Sequence, residues 1–61
     1  MSERIIVNPK ILGGKPVIRG TRIPIYLILE LLAAGYDSKR IINAYPDLTE
    51  EDIKAASEFK N

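Results

Sequence analysis

The segment Gly13-Gly14-Lys15-Pro16-Val17-Ile18-Arg19-Gly20-Thr21-Arg22-Ile23-Pro24 constrains this chain more than any other. It holds three of the four glycines, two of the four prolines and three of the nine basic residues. Glycine admits positive φ and close backbone approach, whereas proline fixes φ and removes an N–H donor. Between these turn formers, Val17-Ile18-Arg19 suits a short strand. The pattern is a rigid turn, strand and turn that carries fixed cations and runs straight into an apolar stretch. It suits binding of an anion or a partner. The alternative is a tight hairpin whose charges only keep it in solution.

Sixty-one residues allow one domain, and a chain of this size buries only about 60% of its unfolded surface. Small folds usually need disulfides, a metal or self-association as reinforcement. With no cysteine and no histidine, disulfide staples, the usual zinc sites and Cys or His catalysis fall away. Self-association remains, and a reducing cytoplasm suits the composition. Glu3 and Arg4 precede only Ile5-Ile6-Val7, so neither a secretory signal nor a membrane span is expected.

Charge divides unevenly. Residues 1–22 hold five basic residues against Glu3, a net +4, whereas residues 23–61 hold four against seven acids, a net −3. The basic half would face phosphates, or one half would face the other in an oligomer.

Arg4-Ile5-Ile6-Val7 is a β-prone run closed by the turn opener Asn8-Pro9, and Pro16 to Arg19 is its candidate partner. A two-stranded ribbon is marginal alone, so it must dock on helices or a second chain. Pro24 suits the first position of a helix, with Thr21 or Ile23 just outside. That helix, Pro24 to Ala34, carries Glu30 as its single charge and is apolar nearly all round, well beyond one ordinary stripe. Ile25, Leu27, Ile28 and Leu31 are therefore expected to form a homodimer interface. Gly35 closes the helix as the residue after its C-cap.

A second helix begins at a cap on Asp37 or Ser38 and buries Ile41, Ile42 and Tyr45, with Lys39 and Arg40 outward and Pro46 as its stop. Thr49 caps a third helix, and Asp52 stands where a capping box prefers Glu or Gln. Ile53, Ala56 and Phe59 form its inward stripe. The short link from Tyr45 to Thr49 makes the last two helices resemble a helix-turn-helix pair. The expected layout is one domain, a β-ribbon arm over residues 1–22 and a three-helix core over residues 23–61.

Gly14-Lys15-Pro16-Val17-Ile18-Arg19-Gly20-Thr21-Arg22-Ile23-Pro24 is followed by Leu31-Leu32-Ala33-Ala34-Gly35, Tyr45-Pro46-Asp47-Leu48-Thr49 and Asp52-Ile53. From about Ile5 to Phe59 the chain thereby resembles the domain-of-unknown-function 433 family. These are small prokaryotic proteins, many of them regarded as VapB-type antitoxins encoded beside a PIN-domain toxin. The resemblance implies a mainly α fold: a short N-terminal β element followed by a three-helix, homeodomain-like helix-turn-helix core, commonly dimeric. It also implies double-stranded DNA and a PIN-domain toxin as partners. Such antitoxins generally use a flexible C-terminal segment on the toxin. Here the chain ends at Asn61, just past the third helix, so the folded domain would have to grip the toxin.

Two features shape the DNA reading. Recognition helices usually place their first turn against the groove, but here that turn would present Glu50, Glu51 and Asp52, with only Lys54 nearby. Because duplex affinity derives largely from neutralising phosphates, the contacts are expected from Lys15, Arg19 and Arg22, with Lys39 and Arg40 as backbone anchors. A β-ribbon can enter the major groove. Tyr26, Tyr36, Tyr45 and Phe59 sit on or beside helices and are expected in core packing rather than in base stacking.

Catalysis finds little to work with. Glu50, Glu51 and Asp52 diverge around a helix axis and cannot converge on one ion, and Gly13-Gly14-Lys15 lacks the spacer and Ser/Thr of a P-loop. No enzyme activity, cofactor or metal is expected. The alternative to a DNA-binding antitoxin is a protein-interaction module whose helix-turn-helix does not contact nucleic acid.

Overall fold

The structure is a computed structural model that describes residues 3–59. The outermost two residues at each end, which belong to the expected arm and core, lie outside the described residues. Strand β1 (Ile5–Ile6) pairs antiparallel with β2 (Val17–Ile18), Ile5 opposite Ile18 and Ile6 opposite Val17. Helices α1 (Ile25–Ala33), α2 (Ser38–Ala44) and α3 (Glu50–Glu58) follow. The fold is therefore mainly α with a short N-terminal β element, as the sequence reading expects.

Pairing on both edges explains how so short a ribbon persists. β1 covers one edge of β2; on the other edge, the Ile18 N–H donates to the Ile23 carbonyl (3.0 Å) and the Ile25 N–H to the Pro16 carbonyl (2.9 Å). Val17 bridges Pro24 in the same register. This pairing moves the helix start. Pro24 was expected as the first helical residue, but it remains extended (φ −76°, ψ 149°) and acts as the N-cap of α1. Proline tolerates that place because it has no N–H to lose.

The ends of the helices close as their residues dictate. Gly35, at φ +98°, lets the Tyr36 N–H reach the Leu31 carbonyl and the Gly35 N–H reach the Leu32 carbonyl, each 3.0 Å. These two bonds form a Schellman termination of α1. Asp37 caps α2, its Oδ1 accepting from the Arg40 N–H at 2.8 Å. Thr49 and Asp52 complete a reciprocal capping box on α3, so the shorter Asp reaches as Glu would. No helix among the described residues is long and apolar enough to cross a membrane.

The core is dominated by isoleucines from both halves. Ile5 and Ile18 of the ribbon join Ile25, Ile28, Ile41, Leu48 and Ile53 in one cluster, closed by Ala55 and Ala56 of α3. Ile28 and Ile41 are fully buried, and each such side chain contributes about 1.5–3 kcal/mol by leaving water. This corrects part of the expected dimer surface. Ile25 and Ile28 are 2% and 0% exposed within one chain and cannot offer atoms to a partner. Leu27 and Leu31 are only half-buried. The chain solves its greasy helix by packing α3 and α2 against it, with Ile5 and Ile18 of the ribbon in the same cluster.

Tyr26 is a second correction. It was expected in the core, yet it is 51% exposed, whereas Tyr36, Tyr45 and Phe59 pack partly against the cluster. At 100° per residue, Tyr26 lies about 160° from Ile28 and so cannot share its face.

Candidate nucleic-acid interface

Residues 4 to 29 contain five basic side chains and no acidic one. The ribbon and the start of α1 are built from this acid-free span. Two turns hold its cations. At the first, Arg19-Gly20 form the tip between β2 and the extended Ile23-Pro24. The Thr21 N–H donates to the Ile18 carbonyl at 3.0 Å, and Gly20 takes φ +81°, as the third residue of a type II turn requires. Thr21 clamps the tip, its hydroxyl donating to the Ile18 carbonyl (2.8 Å) and accepting from the Ile23 N–H (3.0 Å). Arg19 and Arg22 flank that clamp, both exposed.

The other turn precedes β2. The Asn8 side chain accepts from the Lys10 N–H at 2.9 Å, and the Ile11 N–H donates to the Asn8 carbonyl at 2.8 Å. Leu12, Gly13 and Gly14 then follow with φ of +50°, +65° and +89°. Three consecutive left-handed residues are unusual, and Leu12, the one non-glycine, incurs roughly 1–2 kcal/mol there. Lys15 leaves this turn with its Nζ 5.8 Å from the centre of the Tyr26 ring.

The expected cation set is thus divided by the structure. Arg19 and Arg22 stand at one end of β2 and Lys15 at the other, about 13 Å away at 3.3 Å per residue. Lys39 and Arg40 belong to α2 instead, where Arg40 stacks 4.2 Å over Tyr36.

One cation has a different role. The Arg4 Nη1 donates to the Asp52 Oδ1 at 3.1 Å, and the Asp52 Oδ2 accepts from the Thr49 N–H at 3.0 Å. Asp52 is 6% exposed, which corrects the expectation that the first turn of α3 presents it together with Glu50 and Glu51: only those two glutamates face outward. The pair ties the ribbon to the start of α3 across 48 residues of chain. Arg19 lies beside it, its backbone N–H donating to the Arg4 carbonyl (2.7 Å) and its Nε to the Glu3 carbonyl (2.6 Å). Glu3, Arg4, Arg19 and Asp52 together line an open groove. Its two carboxylates offset the two guanidiniums, and of the two tip arginines only Arg22 is outside this groove.

Sequence reading missed this pair because no local spacing connects residue 4 with residue 52. Among the described residues, no group of three or more Asp, Glu, His or Cys side chains is placed to hold a metal.

Residues 5–59 match the family described as Protein of unknown function (DUF433), and the chain belongs to that family. A crystal structure of a DUF433 member protein from Anabaena variabilis shares the fold with a TM-score of 0.82 at 37% identity, covering 88% of this chain and 54% of that one. The uncharacterized protein y4eO of Sinorhizobium fredii is 46% identical over 55 residues, 90% of this chain and 25% of its own length. An uncharacterized protein of Archaeoglobus fulgidus is 61% identical over 23 residues, 38% of this chain and 64% of that protein. The chain therefore spans less than two thirds of each of these relatives.

Proposed function

We propose that this protein is a homodimeric, antitoxin-type regulator that binds double-stranded DNA through its ribbon and a PIN-domain toxin through its folded surface, without catalysis. The observation that carries the DNA reading is the acid-free span of residues 4–29, whose arginines 19 and 22 are fixed on a clamped turn. Arg19 and Arg22 bind phosphates at the tip of the ribbon; Lys15, Lys39 and Arg40 supply further backbone contacts. Pairing of two chains doubles that cation count. The half-buried Leu27 and Leu31 of α1 supply the dimer contact, and Leu27→Glu dissociates it in sedimentation equilibrium, whereas a stable wild-type monomer at micromolar concentration refutes it.

Fluorescence anisotropy with a fragment of the protein's own promoter tests the DNA contact. Replacing Arg19 and Arg22 with Ala weakens binding and flattens its salt dependence, each lost phosphate contact lowering the slope by roughly one unit. Glu50→Gln and Glu51→Gln leave binding unchanged or improve it. A larger loss from Lys54→Ala than from the two arginines together would place α3 in the groove instead. The second reading, a protein-interaction module, is favoured by the carboxylates of Glu3 and Asp52 beside Arg4 and Arg19. Absence of promoter binding at low salt selects it.

A further inference from the structure

The two arginines at the tip of the ribbon carry one charge each but are held differently. Arg19 is anchored at both its backbone and its guanidinium. Its backbone N–H donates to the Arg4 carbonyl at 2.7 Å, and the Thr21 N–H closes the turn over it onto the Ile18 carbonyl at 3.0 Å. Its Nε then donates to the Glu3 carbonyl at 2.6 Å. Arg22 has a restrained backbone alone, since the Thr21 hydroxyl holds the Ile23 N–H on its far side at 3.0 Å. Among the described residues, the Arg22 side chain forms no hydrogen bond, ion pair or ring contact.

That anchoring decides which part of Arg19 is left for a ligand. A guanidinium holds five N–H donors in one plane, one on Nε and two on each Nη. It meets an anion either side-on, through Nε and one Nη, or end-on, through both Nη groups. With Nε on the Glu3 carbonyl, the side-on approach is closed. The end-on pair remains, because Arg19 forms no ion pair with the Glu3 or Asp52 carboxylate of the same groove. Those carboxylates still weaken the long-range pull of Arg19. Its contribution is therefore a short-range match of two donors to two oxygens. Arg22, outside the groove, is the reverse case: its charge is not offset there, and its direction is not set.

We propose that Arg19, oriented by the Glu3 carbonyl, grips a single DNA phosphate end-on through its two Nη groups, and that Arg22 acts as a mobile point charge. The inference rests on the duplex-DNA reading above. A phosphodiester offers two free oxygens at the spacing of the guanidinium fork, and holding that fork in advance lowers the ordering cost of the contact. Lysine at position 19 cannot reproduce it, because an ammonium has neither the fork nor the Nε–H that fixes its plane. At position 22 lysine serves as well as arginine.

Exchange of each arginine for lysine separates the two roles, since it keeps the charge and removes the fork. Promoter binding is measured by fluorescence anisotropy across a series of salt concentrations. Arg19→Lys lowers affinity roughly fivefold to tenfold at an unchanged salt slope, whereas Arg22→Lys stays within about twofold of the wild type. Nitrogen relaxation of the arginine Nε–H groups, measured by nuclear magnetic resonance on the free protein, is a readout that needs no DNA. There the Arg19 group is rigid on the nanosecond timescale and the Arg22 group is flexible. Equal losses in the two lysine variants, or no loss in Arg19→Lys, overturn the proposal and leave the DNA reading intact. Equal mobility of the two Nε–H groups overturns it as well. A loss of helical circular dichroism in Arg19→Lys would make Arg19 a support of the fold, which also overturns it. Absence of wild-type promoter binding at low salt refutes the DNA reading itself, and this inference with it.

Discussion

The two tight termini of this molecule, the turn at Leu12–Gly14 and the cap at Thr49–Asp52, handle the same problem in opposite ways. At Thr49–Asp52 each side chain accepts from the other's backbone N–H, and Arg4 adds a second partner to the buried carboxylate. Local preference, tertiary contact and burial agree there. At Leu12–Gly14 the backbone is left-handed for three residues, the leucine is strained, and it is 43% exposed. Consistency across levels marks structural positions, whereas local conflict without compensation points to function. In the function proposed above, the helical half is therefore the scaffold and the acid-free half the binding surface.

The largest effects test whether these regions are one cooperative unit. Ile18 of the ribbon and Ile41 of α2 are 1% and 0% exposed, and replacing either with Ala destabilises by about 2–5 kcal/mol. Both variants lower the same single transition in urea, monitored by helical circular dichroism. A normal helical melt in Ile18→Ala would separate the ribbon from the core and break the comparison.

Next comes the latch between them. Asp52→Ala keeps the Thr49 cap but removes the carboxylate half of the capping box and leaves the Thr49 N–H without its partner, a loss of about 2 kcal/mol. Arg4→Ala costs less, because the Arg4 side chain is 47% exposed and water screens such a pair; a double-mutant cycle gives a coupling below about 1 kcal/mol. A coupling well above that would make the latch a principal support of the ribbon.

The smallest effects sharpen the comparison. Gly20 and Gly35, one in each half, have φ of +81° and +98°, and a Cβ at either meets nothing within 4 Å. Substitution with Ala is therefore conformational alone and costs roughly 1–2 kcal/mol in thermal unfolding. Gly20→Ala additionally weakens promoter binding, since it tilts the turn that fixes Arg19 and Arg22, whereas Gly35→Ala does not.

Much of this was legible along the chain because the signals are local. Gly35 announces its positive φ after an apolar helix, Thr49 and Asp52 stand three residues apart as a capping box demands, and Val17-Ile18 sits between turn formers that leave it only a strand to adopt. The helix start was misplaced by one residue at Pro24, since the bonds that hold Ile23 and Ile25 to β2 compete with the helix and are not visible in spacing. Which side of α1 is buried was equally hidden. Nearly every position of that helix is apolar, so hydropathy cannot distinguish Ile28, which is buried in the core cluster, from Tyr26, which is exposed.

The sequence by itself determined the element order, the helix ends at Gly35 and Thr49 and the cationic character of the ribbon, each set by residues within a few positions of one another. Tertiary structure alone decided that Arg4 meets Asp52, that Lys15 lies over Tyr26, and that Ile25 and Ile28 belong to the protomer's own core. Those outcomes depend on contacts between distant segments, and such contacts are chosen by how the whole chain packs.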